Sequence, residues 1–263
     1  MSTRRGDARP QEARQQAIAE FVASQGSATA VELAELTGVS VMTVHRDLDE
    51  LARRGLLRKF RGGVSAQPST VFESDAEYRL NARVEQKRAI ASRAVEHVEP
   101  GGSIMLDDST TALQLAALLE PLSPLTAVTN YRRTIDELRT MKDVRLIALG
   151  GDYSRTHDSF NGLPCTEAIS SISVDTAFIS TSAMTAAMTY HQEQEIVVVK
   201  RAMLAAAATK VLLMDSSKMP RTALHHLASV ESYDRVIVDD GVDPELLAEL
   251  RDRTAVDVAP TEN

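Results

Sequence analysis

The stretch ELAELTGVSVMTVHRDLDELARRGLLRKFRGG, Glu32 to Gly63, contains in order a helix stop, a helix start and a basic hairpin. Just ahead of it, Thr29 with Glu32 three residues on is a capping-box pattern, and the apolar run Val31, Leu33, Ala34, Leu36 stops at Gly38. Ser40 is a good N-cap for a following helix that puts Val41, Val44, Leu48 and Leu51 on one face. After Gly55, LLRKFRGG reads as a short strand, a basic turn and a returning strand. Upstream, Ala17, Ile18, Phe21 and Val22 recur at helical spacing between Gln11 and Ser24, and Gly26 ends that run. Three short helices, the second and third joined by Gly38, Val39 and Ser40, satisfy the requirements of a helix-turn-helix, and the strand pair makes it winged.

With its apolar face buried, the third helix leaves Met42, Thr43, His45, Arg46 and Asp49 outward, beside the capping Ser40. These side chains suit a major groove. Arg46 can pair with guanine acceptors or phosphate, Thr43 can bond a phosphate or touch a thymine methyl, and His45 can donate to either. Five basic residues crowd into the segment that follows, Arg53, Arg54, Arg58, Lys59 and Arg61, and Arg58, Lys59 and Arg61 form a wing suited to phosphate. The predicted partner of this module is double-stranded operator DNA. The other reading of such a face, a solvated helix surface, is disfavoured by the capped helix before it, the Gly-containing turn and the basic hairpin after it.

The whole chain has 263 residues and a formal net charge of −8, which speaks against a protein that coats nucleic acid. Divided, it tells more: residues 1–66 hold 10 Lys and Arg against 8 Asp and Glu, leaving 19 against 29, so the two parts carry +2 and −10. At 43% hydrophobic and 4% aromatic, the composition is that of an ordinary globular protein. The one cysteine, Cys165, excludes an internal disulfide framework and fits a reducing compartment. The polar N-terminus, residues 1–10, reads as a mobile tail without a signal-peptide core, and no apolar run reaches the roughly 18 residues of a membrane span, so a cytoplasmic location is predicted. A winged helix-turn-helix domain is expected over residues 10–66, a Ser/Pro/Gln/Thr linker over 67–77, and a second domain over 78–263.

In that second domain a helical stretch from Tyr78 to Val98 leads to the turn Glu99-Pro100-Gly101-Gly102. Short apolar runs then alternate with helices: SIML (103–106), TAV (126–128), VRLIAL (144–149), VDTAFIS (174–180), KVLLM (210–214) and DRVIVD (234–239), with TAVDVA (254–259) as a further candidate. Helices are expected near 111–120, 132–141, 163–171, 194–208 and 244–252. Strands buried on both faces read as continuous apolar runs, so the fold class is α/β, a doubly wound, largely parallel sheet.

Ligands of such sheets bind at the carboxyl ends of the strands. There the chain places Asp107, Asp108, Ser109, Thr110 and Thr111; Thr129 and Asn130; Gly150, Gly151 and Asp152; Thr181 and Ser182; and Asp215, Ser216, Ser217 and Lys218. Hydroxyls and free N–H groups at a helix start bind anions. Paired glycines allow close backbone approach, Lys218 supplies a point charge for phosphate, and Asp107 or Asp108 can accept from sugar hydroxyls. Singly, these residues are ordinary caps, turns and surface charges; recurring at several strand ends, they point to a polyol-phosphate site.

Together these residues resemble the DeoR family of bacterial transcriptional regulators, from about Gln11 to Asp240. The resemblance is carried by residues 32–63 and by MLDDSTT (105–111), VTN (128–130), LGG (149–151), VKRAM (199–203) and DSSK (215–218). It implies a sensor domain with the fold of ribose-5-phosphate isomerase and CoA transferases that binds a phosphorylated sugar. It also implies an effector site of Asp107, Ser109, Thr110, Thr111, Asn130, Gly150, Gly151 and Lys218, with Lys200 nearby. Two positions depart from the family pattern. His45 stands before Arg46 where the family commonly has Arg, which bears on the operator sequence. Asp108 and Ser109 replace Ser-Gly in the usual Asp-Ser-Gly-Thr-Thr loop, and the added carboxylate would repel a phosphate, which bears on the effector's identity or charge.

The expected function is therefore a DNA-binding regulator, a repressor of carbohydrate catabolic genes relieved by a phosphorylated sugar or polyol. It would act as a homo-oligomer, since one small helix-turn-helix covers only half an operator. The alternative is a sugar-phosphate isomerase or CoA-transferase-like enzyme with a DNA-binding extension, in which Asp107, Asp108 and Lys218 do acid–base chemistry. No cofactor or metal is predicted: His225 and His226 are adjacent and diverge, and no nearby Cys completes a site. Cys165 is expected to be buried. His191, Glu193 and Glu195 either close the ligand pocket or open a solvated helix, and Val197, Val198, Met203 and Leu204 are expected to be core.

Overall fold

The computed structural model describes residues 10–25, 27–53, 56–60, 62–66 and 76–261. The expected tail before Pro10, most of the linker and Arg61 lie outside the described residues, as does the side chain of Arg58. By its contacts the chain divides into two compact units, Met1–Asn81 and Ala82–Asn263.

The first unit holds α1 (Pro10–Gln25), β1 (Ser27–Ala28), α2 (Ala30–Thr37), α3 (Val41–Arg53), β2 (Leu57–Phe60), β3 (Gly63–Ala66) and α4 (Ala76–Asn81). Its core joins Ile18 and Val22 of α1 to Leu33 of α2, Val44, Leu48 and Leu51 of α3, and Leu57 and Val64 of the hairpin. The capping box forms as the sequence predicts: Glu32 N–H donates to Thr29 Oγ1 at 3.3 Å and Thr29 N–H to Glu32 Oε2 at 2.7 Å. Gly38 ends α2 at φ +67°, donating its N–H to the Ala34 carbonyl at 2.9 Å. The wing is a three-stranded sheet of order β1-β3-β2, one strand more than the sequence suggests.

Val41, expected on the buried face of α3, is exposed, and Asp47 is buried in its stead. The inward stripe is Val44, Asp47, Leu48 and Leu51, centred one turn beyond Val41. Asp47 is tolerated there because its carboxylate accepts from Arg14 Nε at 2.6 Å and Gln15 Nε2 at 2.9 Å, tying α3 to α1. The stretch expected to be one helix from Tyr78 is two. Tyr78 on α4 packs against the first unit's core, and Arg83, at φ 54°, separates α4 from α5 (Val84–Ala94).

The second unit continues with β4 (Ser103–Leu106), α6 (Thr110–Ala116), β5 (Leu125–Thr129), α7 (Arg132–Leu138), β6 (Val144–Ala148), β7 (Asp152–Ser154), β8 (Ser159–Asn161) and α8 (Gly162–Ser170). Then follow β9 (Val174–Ile179), β10 (Ala183–Met184), β11 (Met188–His191), α9 (Gln194–Ala205), β12 (Ala207–Met214), β13 (His225–Ser229), β14 (Arg235–Asp239), α10 (Pro244–Arg251) and β15 (Ala255–Ala259). Seven strands form one sheet of order β15-β14-β12-β9-β4-β5-β6, every pair parallel. This is the α/β sheet the apolar runs predict, and the alternation inside them explains why. Ile104, Leu106, Val211 and Leu213 face α5 and α6, whereas Met105, Leu212 and Met214 face α8, α9 and α10.

From β4 the chain winds outward through β5 and β6, then returns to β9 on the other flank of β4 and winds outward through β12, β14 and β15. The winding direction therefore reverses between β4 and β9, the position at which open parallel α/β sheets have their ligand crevice, at the carboxyl ends. Two antiparallel pieces have no counterpart in the sequence pattern: the β7–β8 hairpin and a small sheet of order β10-β11-β13. Cys165 is fully buried, and burial, then the proximity of Asp108, pushes its thiol up to about 11. Val198, expected in the core, is half exposed.

Candidate functional site

In the first unit, Ser40 caps the recognition helix α3, its Oγ 3.3 Å from the donating Thr43 N–H and 3.0 Å from Thr43 Oγ1. Thr43 is thereby half-buried at the helix start, while Met42, His45 and Arg46 stand exposed. Arg46 makes no ion pair among the described residues. Lys59 on β2 pairs with Asp49, so the wing is pinned to α3 and part of its charge is spent on that pairing.

In the second unit the carboxyl ends of β4, β9 and β12 bring together several of the residues the sequence singles out. Asp107 and Asp108 leave the end of β4, both buried, and Lys200 of α9 reaches them from the far side of the sheet. Its Nζ lies 2.5 Å from Asp107 Oδ2 and 2.8 Å from Asp108 Oδ1. Burial works to depress the Lys200 ammonium, but the two carboxylates outweigh it and hold its pKa above the ordinary value. Asp107 also accepts from Ser109 N–H at 3.0 Å and, across the reversal point, from Ser180 N–H at 2.7 Å. Both its oxygens are thus engaged within the protein, which makes it the tie that fixes the loops after β4 and β9. Asp108 Oδ2 accepts from Ser159 Oγ at 3.0 Å. Ser109 caps α6 by accepting from Ala112 N–H at 3.0 Å, and Thr110 and Thr111 open that helix, both buried.

Lys218 sits in a turn after β12 and leans over the loop that follows β9. Its Nζ donates to the Thr181 carbonyl at 2.9 Å and lies 3.4 Å from Ser180 Oγ and 3.8 Å from Asp215 Oδ2. Burial raises the Asp215 carboxyl, but Lys218, a hydrogen bond from Ser217, and the charges of Lys87 and Arg83 together hold it below its usual range.

On the other side of the crevice, Asn130 follows β5, and its Nδ2 donates to the Phe160 carbonyl at 2.9 Å. Gly150 and Gly151 follow β6 and differ in what they require. A Cβ on Gly150 would meet nothing within 4 Å, whereas Gly151 has φ +148° and a Cβ there would lie 2.3 Å from the Asn161 carbonyl oxygen. Gly151→Ala is therefore expected to lower stability by about 1–3 kcal/mol, while Gly150→Ala stays within about 0.5 kcal/mol. Urea unfolding of the two variants checks this, and equal effects would refute the assignment.

Sequence reasoning missed the clamp that ties the β7–β8 hairpin to α7. Asp158, at φ 56°, accepts from Arg132 Nε at 2.6 Å, Arg132 Nη2 at 2.7 Å, Arg133 Nε at 3.0 Å and Tyr153 OH at 2.6 Å. Burial opposes its ionisation, yet the Arg132 and Tyr153 hydrogen bonds and the two guanidinium charges keep its pKa low. The hairpin also brings in His157, which is buried with Nε2 2.9 Å from Glu193 Oε1 and its ring 6.1 Å from that of His191. Two of the three residues with two readings, His191 and Glu193, thus approach this hairpin. His225 and His226 lie on β13, where His226 packs edge-on against Tyr190. No group of three His, Cys, Asp or Glu among the described residues could hold a metal ion.

Comparison with known protein families agrees with the division into two units. A family model described as the DeoR-like helix-turn-helix domain matches residues 14–70, and one described as the DeoR C-terminal sensor domain matches residues 82–240. The putative aga operon transcriptional repressor of Escherichia coli O157:H7 is 29% identical, over 90% of this chain and 90% of its own. The glycerol-3-phosphate regulon repressor of Escherichia coli K12 is 30% identical, over 86% of this chain and 90% of its own. Among solved structures, a D-ribose-5-phosphate isomerase in complex with phospho-erythronic acid is similar over 54% of each chain, at TM-score 0.38 and 15% identity. With a capped recognition helix and wing in one unit, a reversal-point crevice in the other, and both family models matched in order, the chain belongs to the DeoR family of transcriptional regulators.

Proposed function

We propose that this chain represses genes of carbohydrate catabolism in the cytoplasm by binding operator DNA as a homo-oligomer, and that a phosphorylated sugar or polyol in the crevice of the second unit releases it. The observation that carries the reading is that polar residues follow several strands of one parallel sheet: Thr110 and Thr111 after β4, Asn130 after β5, the Gly150–Gly151 turn after β6, and Lys218 after β12 with its Nζ on the Thr181 carbonyl after β9. A cation, a turn with open space beside it, and polar side chains suit a compact polyol phosphate. Two relatives are named as repressors, of an aga operon and of a glycerol-3-phosphate regulon, which supports repression, and a third is named as an L-fucose operon activator.

Asp108 changes the electrostatics less than the sequence implies, because Lys200 and Ser159 engage it. Two buried carboxylates share the Lys200 ammonium, which leaves Lys218 as the cation assigned here to a ligand phosphate. Release requires the effector to prefer one conformation, and by linkage DNA weakens effector binding by the same factor.

The test uses the full chain. Selection from a random duplex pool should enrich a site with a repeated half-site. Phosphorylated sugars should lower affinity for that site and raise the thermal midpoint by mass action, without being consumed. Failure to enrich any sequence, or turnover at enzyme rates, would overturn the reading, the latter in favour of an isomerase-like or transferase-like enzyme.

A further inference from the structure

Two buried amide oxygens beside the crevice, Asn130 Oδ1 and Asn161 Oδ1, have no hydrogen-bond partner among the described residues. Both amide orientations are determined. Asn130 Nδ2 donates to the Phe160 carbonyl, which only a donor can approach, so its Oδ1 points away from β8. Asn161 Nδ2 lies 3.2 Å from Ser159 Oγ. That hydroxyl spends its proton on Asp108 Oδ2 at 3.0 Å, so it can only accept from Asn161. A relay runs Asn161 to Ser159 to Asp108 to Lys200, and it leaves the Asn161 oxygen unused.

The two amides belong to one small region. Asn130 holds Phe160 on both sides, its carbonyl accepting Phe160 N–H at 2.9 Å and its Nδ2 donating to the Phe160 carbonyl. Asn161 is the next residue, and its own carbonyl lies against Gly151. Buried acceptors left unpaired are costly, so a pair of them beside an open glycine turn calls for donors from outside the chain.

We infer that Asn130 and Asn161 select the effector by its hydroxyl groups, each amide oxygen accepting one hydroxyl hydrogen bond from a polyhydroxylated phosphate ester. The inference rests on the reading of this crevice as a sugar-phosphate or polyol-phosphate site. Asn161 serves here as a specificity residue that the family resemblance does not include. Asp108 is its organiser: it takes the Ser159 proton and so fixes which end of the Asn161 amide is left for the ligand. This gives the carboxylate that departs from the family loop a task other than meeting the phosphate.

A site built to accept a hydroxyl hydrogen bond rejects the analogue that lacks it, because its buried acceptor is then unpaired. Calorimetric titration of the full chain with ribose 5-phosphate, glucose 6-phosphate, galactose 6-phosphate and glucitol 6-phosphate, each beside its monodeoxy counterparts, provides the test. For the tightest of these, at least one deoxy counterpart should bind about tenfold more weakly, or about 1.4 kcal/mol. Asn161→Ala or Asn130→Ala should bring that ratio to about one. If none of the phosphates binds, the sugar-phosphate reading itself fails. If they bind but no deoxy counterpart is weaker in the wild-type chain, or the ratio persists in both variants, the two oxygens are satisfied by water and the inference is overturned.

Discussion

Lys200→Met should destabilise the second unit by about 3–5 kcal/mol, the cost of breaking a buried ionic cluster from one side. Lys200 is the shared partner of Asp107 and Asp108 at 2.5 and 2.8 Å, and all three side chains are almost wholly buried. Methionine fills similar volume, so the loss comes from stranded charge rather than from a cavity. The pH dependence separates the two causes. In the wild type, a Lys200 pKa held above its ordinary value gives a contribution fully present below the unfolded-state pKa and lost only as pH rises through the folded one. It is therefore flat between pH 5 and 8. In the variant, unpaired burial raises the carboxylate pKa values, so the folded state binds more protons than the unfolded state and gains stability as pH falls. Urea unfolding should show the deficit narrowing from pH 8 to pH 5, and adding Asp107→Asn and Asp108→Asn should recover part of it at pH 8. A deficit independent of pH would mean packing, not charge, is what Lys200 supplies.

That cluster has no local signature in the sequence, and the strands around it do. They are legible because burial on both faces leaves a continuous apolar run: Ile104, Met105 and Leu106 are consecutive and alternate between two cores. Helix ends are legible at Thr29, Glu32, Gly38 and Ser40 because caps use nearest neighbours. The strand-end residues come together because the topology of a parallel sheet collects them. Pairings between distant segments leave no such trace. Lys200 stands 93 positions from Asp107, and only the family resemblance singles it out. The β7–β8 hairpin is built of three-residue strands rich in Ser, Asp and Asn, which read as loop. Its clamp needs Asp158 in a left-handed conformation that four donors stabilise together, and no single one of those residues announces it. Asp47 misleads in the same way: a charge on the inner face of α3 becomes intelligible only with Arg14 and Gln15 in place.

Asp47 also sets the control for the second large effect, Arg46→Ala. Arg46 is exposed on the recognition helix and makes no ion pair among the described residues, so its removal should change the thermal stability of the first unit by no more than about 0.5 kcal/mol. Its neighbour Asp47 is buried under Arg14 and Gln15, and Asp47→Ala strands that guanidinium and loosens α1 from α3. Loss of DNA binding in the Asp47 variant would thus accompany loss of fold. In the Arg46 variant it should come alone. A bidentate hydrogen-bonded pair with a base contributes about 1–3 kcal/mol per half-site. A twofold operator forfeits it twice, so affinity should fall by about 2–6 kcal/mol, enough to bring specific binding near the non-specific level. The salt dependence tells what Arg46 touches. If it reads a base, the variant should tolerate any base pair at one position of each half-site. If it meets a phosphate, binding should weaken for all sequences alike, and the salt slope should fall by about one for each phosphate that Arg46 neutralises. Unchanged operator affinity in a folded Arg46 variant would remove α3 as the reading element and leave the wing, with Lys59 already paired to Asp49, to account for recognition.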